Sequence, residues 1–160
     1  MDALKNLAGN PTLSTPFQIL IPHHIYDAMI SQAYSELPNE CCGLLAGRIE
    51  ESADAQQDSV VKVDRCYPLV NSVASPTEYL SDARSMLDAD KDMRRRSIDL
   101  LAVYHSHPTT APIPSKKDLE KNDYLSVIHF IISLQGTQPE VRAWWLAEKD
   151  YREADWHLIG

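Results

Sequence analysis

The stretch Tyr104-His105-Ser106-His107-Pro108, with Asp118 separated from His107 by ten residues, decides how the rest of the chain is interpreted. Side chains alternate along a strand, so His105 and His107 project from the same side of an extended segment. Ser115 is predicted to start a short helix that carries Asp118 in its first turn. Two imidazoles and one carboxylate make three protein ligands for a metal ion. A catalytic zinc site needs that number because its fourth position stays open for water.

Composition places the chain among ordinary single-domain proteins. Its 160 residues, 44% of them apolar and 24% charged, can bury a core that needs no disulfide bonds. We expect a flexible lead-in at 1–16 and a single domain over 17–160. The net charge of −8 argues against a nucleic-acid partner, because a phosphate backbone requires a basic face on the protein.

The cysteines and the N-terminal segment favour a cytoplasmic location. Cys41, Cys42 and Cys66 are odd in number and two are adjacent, so they do not form a disulfide framework and fit a reducing compartment. The first fifteen residues have no basic region followed by a continuous apolar run, so no signal peptide is expected. No segment approaches the roughly 20 apolar residues of a membrane helix, and no membrane partner is expected.

The order of apolar and polar segments predicts a mixed α/β fold. Helices are expected at 23–37, 80–97 and 115–122 because apolar residues recur there at helical spacing or follow a capping residue. Strands are expected at 17–21, 40–47, 60–69, 100–104, 127–134, 141–147 and 156–159. The last strands are linked as a hairpin. The class is therefore α/β in the mixed α+β sense, with a single mixed sheet and helices packed on it.

Taken together with the early Glu40, the central residues resemble a known family. Glu40, His105-Ser106-His107, Ser115 and Asp118 are similar to the JAMM motif of MPN-domain metalloproteases. That motif is a glutamate on an early strand, His-x-His, ten residues and an aspartate, with a serine three positions before the aspartate. The similarity covers about residues 17 to 147, and the short chain resembles the small prokaryotic branch. The resemblance implies a cytidine-deaminase-like MPN/JAB fold.

The resemblance also implies a reaction and a partner. His105, His107 and Asp118 would bind one Zn²⁺, Glu40 would act as general base and then acid, and Ser115 would donate a hydrogen bond to the developing oxyanion. The expected reaction is hydrolysis of a peptide or isopeptide bond at the C-terminal Gly-Gly tail of a ubiquitin-like or sulfur-carrier protein. A homodimer is also possible, since MPN domains often pair.

Several simpler interpretations compete with these assignments. The two histidines can be ordinary strand residues, and Glu40 can be a surface carboxylate. Ser115 and Asp118 can form only a capping box at the start of a helix. Cys41 can be a fourth ligand, which would make the site a closed structural zinc centre. A set of two histidines and one aspartate would also accept iron or cobalt.

The function has alternatives of a different class. A non-catalytic MPN module can act as a scaffold in a protein complex, although such modules usually have lost ligands. A DNA-repair-associated relative is disfavoured by the acidic net charge. His129 lies within an apolar strand, which is more typical of a buried core histidine than of a ligand. A metal assay separates the hydrolase from the scaffold.

Overall fold

The computed structural model describes residues 18–49, 60–122 and 127–160, so the predicted lead-in at 1–16 lies outside the described residues. The helices are α1 (His23–Ser35), α2 (Ala83–Arg96) and α3 (Lys116–Glu120). The strands are β1 (Gln18–Pro22), β2 (Cys42–Gly47), β3 (Val60–Lys62), β4 (Arg65–Leu69), β5 (Asp99–His107), β6 (Ile128–Ser133), β7 (Glu140–Leu146), β8 (Tyr151–Glu153) and β9 (Trp156–Ile159). Within these ranges no helix combines the length and apolar composition that a membrane crossing requires.

A six-stranded sheet forms the centre of the molecule, with strand order β4-β2-β5-β6-β7-β8. Its neighbours are antiparallel except for β5 and β6, which run parallel. The longest strand is β5, and every residue of it after Asp99 is buried. Because β5 has a paired strand on each side and packing on both faces, the histidines at its C-terminal end have a rigid base.

The mixed α+β class is confirmed, but the expectation of a single sheet needs a correction. Strands β1, β3 and β9 form a second, three-stranded parallel sheet. The segment 60–69, expected as one strand, is divided between the two sheets. The N–H of Val63 donates to the carbonyl of Leu20 in the small sheet, whereas the N–H of Asp64 donates to Ala46 in the large one. The chain therefore changes sheets between these two residues.

Helix α1 covers one face of the large sheet together with the small sheet. Ile25, Met29 and Ala33 are its buried residues, as the helical spacing predicts. Leu37, the last residue of the predicted helix 23–37, lies beyond the last helical residue and is exposed. Proline cannot continue a helix, and the preceding residue is biased away from helical geometry, which explains the end before Pro38.

Helix α2 covers the opposite face of the large sheet. Met86 and Met93 pack there against Leu100 and Val103 of the sheet. The helix begins at Ala83 rather than at residue 80 because the carboxylate of Asp82 accepts a hydrogen bond from the N–H of Ser85 and caps it. Side chains alternate along β5, so Val103 shares this face with His105 and His107. The site therefore lies on the α2 side, beyond the apolar cluster.

Candidate active site

The two histidines of β5 and the aspartate of α3 meet at one point. The Nε2 atoms of His105 and His107 are 3.2 Å apart, and Oδ2 of Asp118 is 3.1 Å from each of them. A tetrahedral zinc ion with ligands at about 2.0–2.1 Å separates those ligands by about 3.3–3.4 Å. The distances between Nε2 of His105, Nε2 of His107 and Oδ2 of Asp118 are therefore close to those between the ligand atoms of a bound zinc ion. These are the residues that form a potential metal-binding group in the described part of the chain.

The tautomer of His107 is set by the loop that follows it. Its Nδ1 atom is 2.8 Å from the carbonyl oxygen of Ala111. A carbonyl only accepts, so Nδ1 carries the proton and Nε2 keeps a lone pair for a metal. Burial by itself would lower the pKa of His107, but the hydrogen bonds to Asp118 and to the Ala111 carbonyl outweigh it and raise the pKa.

The ring of His105 is held by stacking. The ring of Tyr79 lies against it, with centroids 4.8 Å apart and an interplanar angle of 27°. The imidazole is 1% exposed, and among the described residues its Nδ1 atom has no hydrogen-bond partner. Its orientation is therefore fixed by Tyr79 on one side and by the approach of His107 and Asp118 at Nε2.

The start of helix α3 places Asp118. Oγ of Ser115 accepts a hydrogen bond of 3.1 Å from the N–H of Asp118, and Oδ2 of Asp118 accepts one of 2.9 Å from the N–H of Ser115. The predicted capping box is present. The carboxylate of Asp118 does more than cap the helix, because the same Oδ2 atom also faces both histidines. Burial opposes its ionisation, but His105, His107 and the Ser115 N–H hold the pKa of Asp118 well below its usual range.

The loop 108–114 is tied to the sheet at two points that the sequence does not reveal. The hydroxyl of Ser133 donates to the carbonyl of Thr110 at 2.6 Å. The indole N–H of Trp144 donates to the carbonyl of Pro112 at 2.9 Å. Trp144 is buried, and it also fixes the path from β5 to α3. Since backbone carbonyls exist at every position, no sequence signal identifies which of them a side chain will bind.

Glu40 lies two residues before β2, and its buried side chain interacts electrostatically with His107 and Asp118. Only 4% of the residue is exposed, so the interpretation as a surface carboxylate is wrong. Among the described residues its Oε1 atom has no hydrogen-bond partner. Burial raises the pKa of Glu40 to about 8, with Asp118 adding to the effect and with His107 and Lys117 opposing it.

Asn71 holds the segment around Glu40 in place. Its side-chain amide donates to the carbonyl of Glu40 at 3.0 Å and to that of Glu78 at 3.1 Å. Its side-chain oxygen accepts from the N–H of Leu80 and of Val73. One amide therefore links the segment that carries Glu40 to the loop that carries Tyr79. Asn71 and Glu40 are 31 positions apart, so no local sequence pattern indicates this contact.

Ser106 and Cys41 point away from the metal ligands. Ser106 is fully buried, and its hydroxyl accepts a hydrogen bond of 2.8 Å from the N–H of Cys41. Since side chains alternate along β5, Ser106 projects opposite to the histidines and holds the segment before β2. Cys41 belongs to the core cluster on the α1 side, with Tyr104. It lies outside the metal-binding group, so a closed site with Cys41 as a fourth ligand does not form.

A pocket of about 320 Å³ opens on the His105 side of the three ligand candidates. One wall comes from the loop before α2 and from α2 itself, and the other comes from α3. The lining residues are Val73, Glu78, Tyr79, Leu80, Ser81, Met86, His105, Lys117, Asp118, Lys121, Asn122 and His129. His129 is buried, as expected, and lies at this pocket rather than in the ligand group.

The fold and the site together define a JAB-type domain, and comparisons agree with this. The chain matches the family model described as prokaryotic homologs of the JAB domain over residues 22–147. A solution structure of protein DSY2949 from Desulfitobacterium hafniense is 33% identical with a TM-score of 0.77, covering 88% of this chain and 92% of that one.

Named relatives are peptidases and conjugate-cleaving proteins. A desampylase from Pyrococcus furiosus is 32% identical over 132 residues, which is 82% of this chain and 84% of the relative. A probable TtuB-protein conjugate cleaving protease from Thermus thermophilus is 35% identical over 104 residues, 64% of this chain and 62% of the relative. A CysO-cysteine peptidase from Mycobacterium tuberculosis is 30% identical over 106 residues, 66% of each chain.

The chain belongs to the family of prokaryotic JAB-domain homologs. The resemblance to the small prokaryotic branch of the JAMM/MPN metalloproteases is thereby confirmed, and with it the prediction of an enzyme of the peptidase class.

Proposed function

We propose that this protein is a cytoplasmic zinc-dependent peptidase that cleaves the peptide or isopeptide bond at the C-terminal Gly-Gly tail of a ubiquitin-like or sulfur-carrier protein. The observation that carries the proposal is the triangle of His105, His107 and Asp118 with the buried carboxylate of Glu40 beside it. The substrate class is suggested by the relatives, whose names refer to conjugate cleavage or to CysO-cysteine.

His105, His107 and Asp118 would hold the metal. Two neutral imidazole nitrogens and one carboxylate oxygen are a donor set that zinc prefers, and the protein supplies three donors rather than four. When bound, zinc lowers the pKa of water and polarises a carbonyl group. The contacts of His107 with the Ala111 carbonyl and of Asp118 with the Ser115 N–H orient two of the three ligands.

Glu40 would move the proton. Its Oε1 atom is buried and, in the described part of the chain, is not engaged in a hydrogen bond. A general base works best when its pKa lies near the working pH, and burial raises the pKa of Glu40 to about 8. A bound cation would bring that pKa down again. Glu40 can therefore take a proton from the attacking water and return it to the leaving amine.

Ser115 would stabilise the oxyanion. Its oxygen accepts the N–H of Asp118, which leaves the hydroxyl proton available as a donor. Because the capping bond holds the side chain in one orientation, that donor is positioned before the substrate arrives. One such donor typically contributes about 10²–10³ in turnover.

The test is the metal content of the purified protein by elemental analysis, together with cleavage of a fusion to a Gly-Gly-ending carrier. We expect about one zinc per chain in the wild type and loss of both metal and cleavage in His107→Ala. His24→Ala, an exposed position on α1, is the matched control and should keep both. A wild type that takes up no stoichiometric metal after zinc is added would overturn the proposal. That result would favour the non-catalytic scaffold module.

A further inference from the structure

We propose that the pocket on the His105 side receives the residue released from the carrier, and that Lys117 and Lys121 bind the free α-carboxylate of that residue. This inference rests on the proposed function and deepens it, because it selects a C-terminal amino acid as the leaving group.

The size of the pocket favours the leaving residue over the tail. Glycine has no side chain, so an extended Gly-Gly segment needs only a narrow slot and would leave a wide pocket empty. The volume of about 320 Å³ is about ten times the ~30 Å³ that one water occupies in the liquid. That space suits a single amino acid with its side chain. It is far too small for a folded acceptor protein.

Among the described residues, the charges at the mouth of the pocket leave one positive charge without a carboxylate of its own. Nζ of Lys121 is 2.8 Å and Nζ of Lys117 is 3.9 Å from the same oxygen of Glu78. In the described part of the chain, the two ammonium groups thus form their ion pairs with one carboxylate, since Asp118 is directed at the histidine pair and Glu40 makes no ion pair with Lys117. The two lysine side chains are 60% and 50% exposed, so a ligand can reach them. A second carboxylate at this position would complete the pairing.

Four of the remaining lining residues form an apolar surface. Val73, Tyr79, Leu80 and Met86 line the pocket on the side facing α3. A residue whose carboxylate lies between the lysines can place an uncharged side chain against these walls. An isopeptide-linked lysine within a protein offers no free carboxylate at this distance from the bond, only backbone amides. The charge pattern therefore favours release of a terminal amino acid over cleavage of a branched conjugate.

The experiment compares two substrates that differ in one group. A carrier ending in Gly-Gly-Leu and the same carrier ending in Gly-Gly-leucinamide are hydrolysed by the zinc-loaded enzyme, and kcat/KM is measured for each. We expect the free acid to be preferred by about 10- to 30-fold, which corresponds to one or two charge-assisted hydrogen bonds. In Lys117→Gln/Lys121→Gln the ratio should fall toward one, and Lys121→Gln alone should give an intermediate ratio.

Lys116→Gln provides the matched control. Lys116 is on the same helix, 89% exposed at its side chain, paired with Glu120 and outside the pocket lining. It should keep the wild-type ratio. Equal rates for acid and amide in the wild type, or an undiminished ratio in the double variant, would overturn the carboxylate assignment while the peptidase stands. A zinc-loaded wild type that cleaves an isopeptide-linked Gly-Gly conjugate but neither of these substrates would overturn this inference alone. Failure to cleave any of the three substrates would overturn the proposed function as well.

Discussion

Replacing Glu40 with glutamine should stabilise the metal-free protein against unfolding. The same substitution should strongly lower the peptidase activity of the zinc-loaded protein. Glu40 is 4% exposed, and in the described part of the chain its Oε1 atom has no hydrogen-bond partner. The folded protein therefore pays a desolvation cost whenever this carboxyl group ionises. Glutamine has nearly the same shape and no charge to bury. The expected gain in stability is thus the cost of that buried charge.

The magnitude follows from the pKa of Glu40, which burial raises from 4.5 to about 8. A difference of one pH unit in pKa corresponds to about 1.4 kcal/mol, so full ionisation costs the folded state about 4–5 kcal/mol, of which about 3 kcal/mol applies at pH 7. A folded-state pKa above the unfolded one gives stability that is complete below about pH 4.5 and lost as the pH rises through about 8. Some access of water to the pocket reduces the expected gain for Glu40→Gln to about 2–3 kcal/mol at pH 7.

The assay is urea unfolding of chelator-treated wild type and Glu40→Gln at pH 5, 7 and 8.5. The difference in free energy of unfolding should be below about 1 kcal/mol at pH 5 and grow with pH. Glu148→Gln, at an exposed position, should change stability by less than about 0.5 kcal/mol at every pH. Peptidase turnover of the zinc-loaded Glu40→Gln protein should fall by about 10²–10⁴. A Glu40→Gln protein that is no more stable than the wild type at pH 8.5 would refute the reasoning.

Two further substitutions test the frame of the site. In Gly43→Ala the new Cβ would lie 2.1 Å from the phenol ring of Tyr104, so unfolding should become easier by about 1–3 kcal/mol, whereas Gly136→Ala, with its nearest neighbour at 3.7 Å, should be tolerated. Replacing Tyr104 by leucine in the Gly43→Ala background should restore part of that loss, and a purely additive double variant would argue against the contact. Ser115→Ala should cost about 1 kcal/mol through the lost cap, but Ser115→Gly only a few tenths. Both should lower turnover by about 10²–10³, and full activity in Ser115→Gly would exclude the oxyanion role.

The sequence predicts the site better than it predicts the sheets. His105, His107, Ser115 and Asp118 could be grouped because the period of a strand and the capping box of a helix are local rules. The second sheet could not be foreseen, because the pairing of β1 with β9 joins the two ends of the described chain. Nothing in the local pattern of 60–69 shows that its two halves have different partners.

The contacts that hold the site in place could not be predicted from the sequence either. Trp144 and Ser133 act through backbone carbonyls of the loop 108–114, and Asn71 acts through the carbonyl of Glu40. Acceptors of this kind have no residue signature. The shared contact of Lys117 and Lys121 with Glu78 joins α3 to a segment some forty residues earlier, and it appears only in the folded chain.

The spacing between His107 and Asp118 has a structural reason. The chain leaves β5 at His107, is bound by Ser133 at the end of β6 and by Trp144 within β7, and must return for Asp118 to face the strand it left. The capping box then fixes the aspartate from its own helix, because Oδ2 accepts the Ser115 N–H while it approaches both histidines. A shorter loop would lose an anchor on the sheet. A helix that started one residue later would rotate Asp118 by about 100° away from the histidines. The spacing of the motif therefore follows from the path of the chain between His107 and Asp118. Ser115 is part of the motif because it caps the helix that carries Asp118, as well as for its proposed role in the reaction.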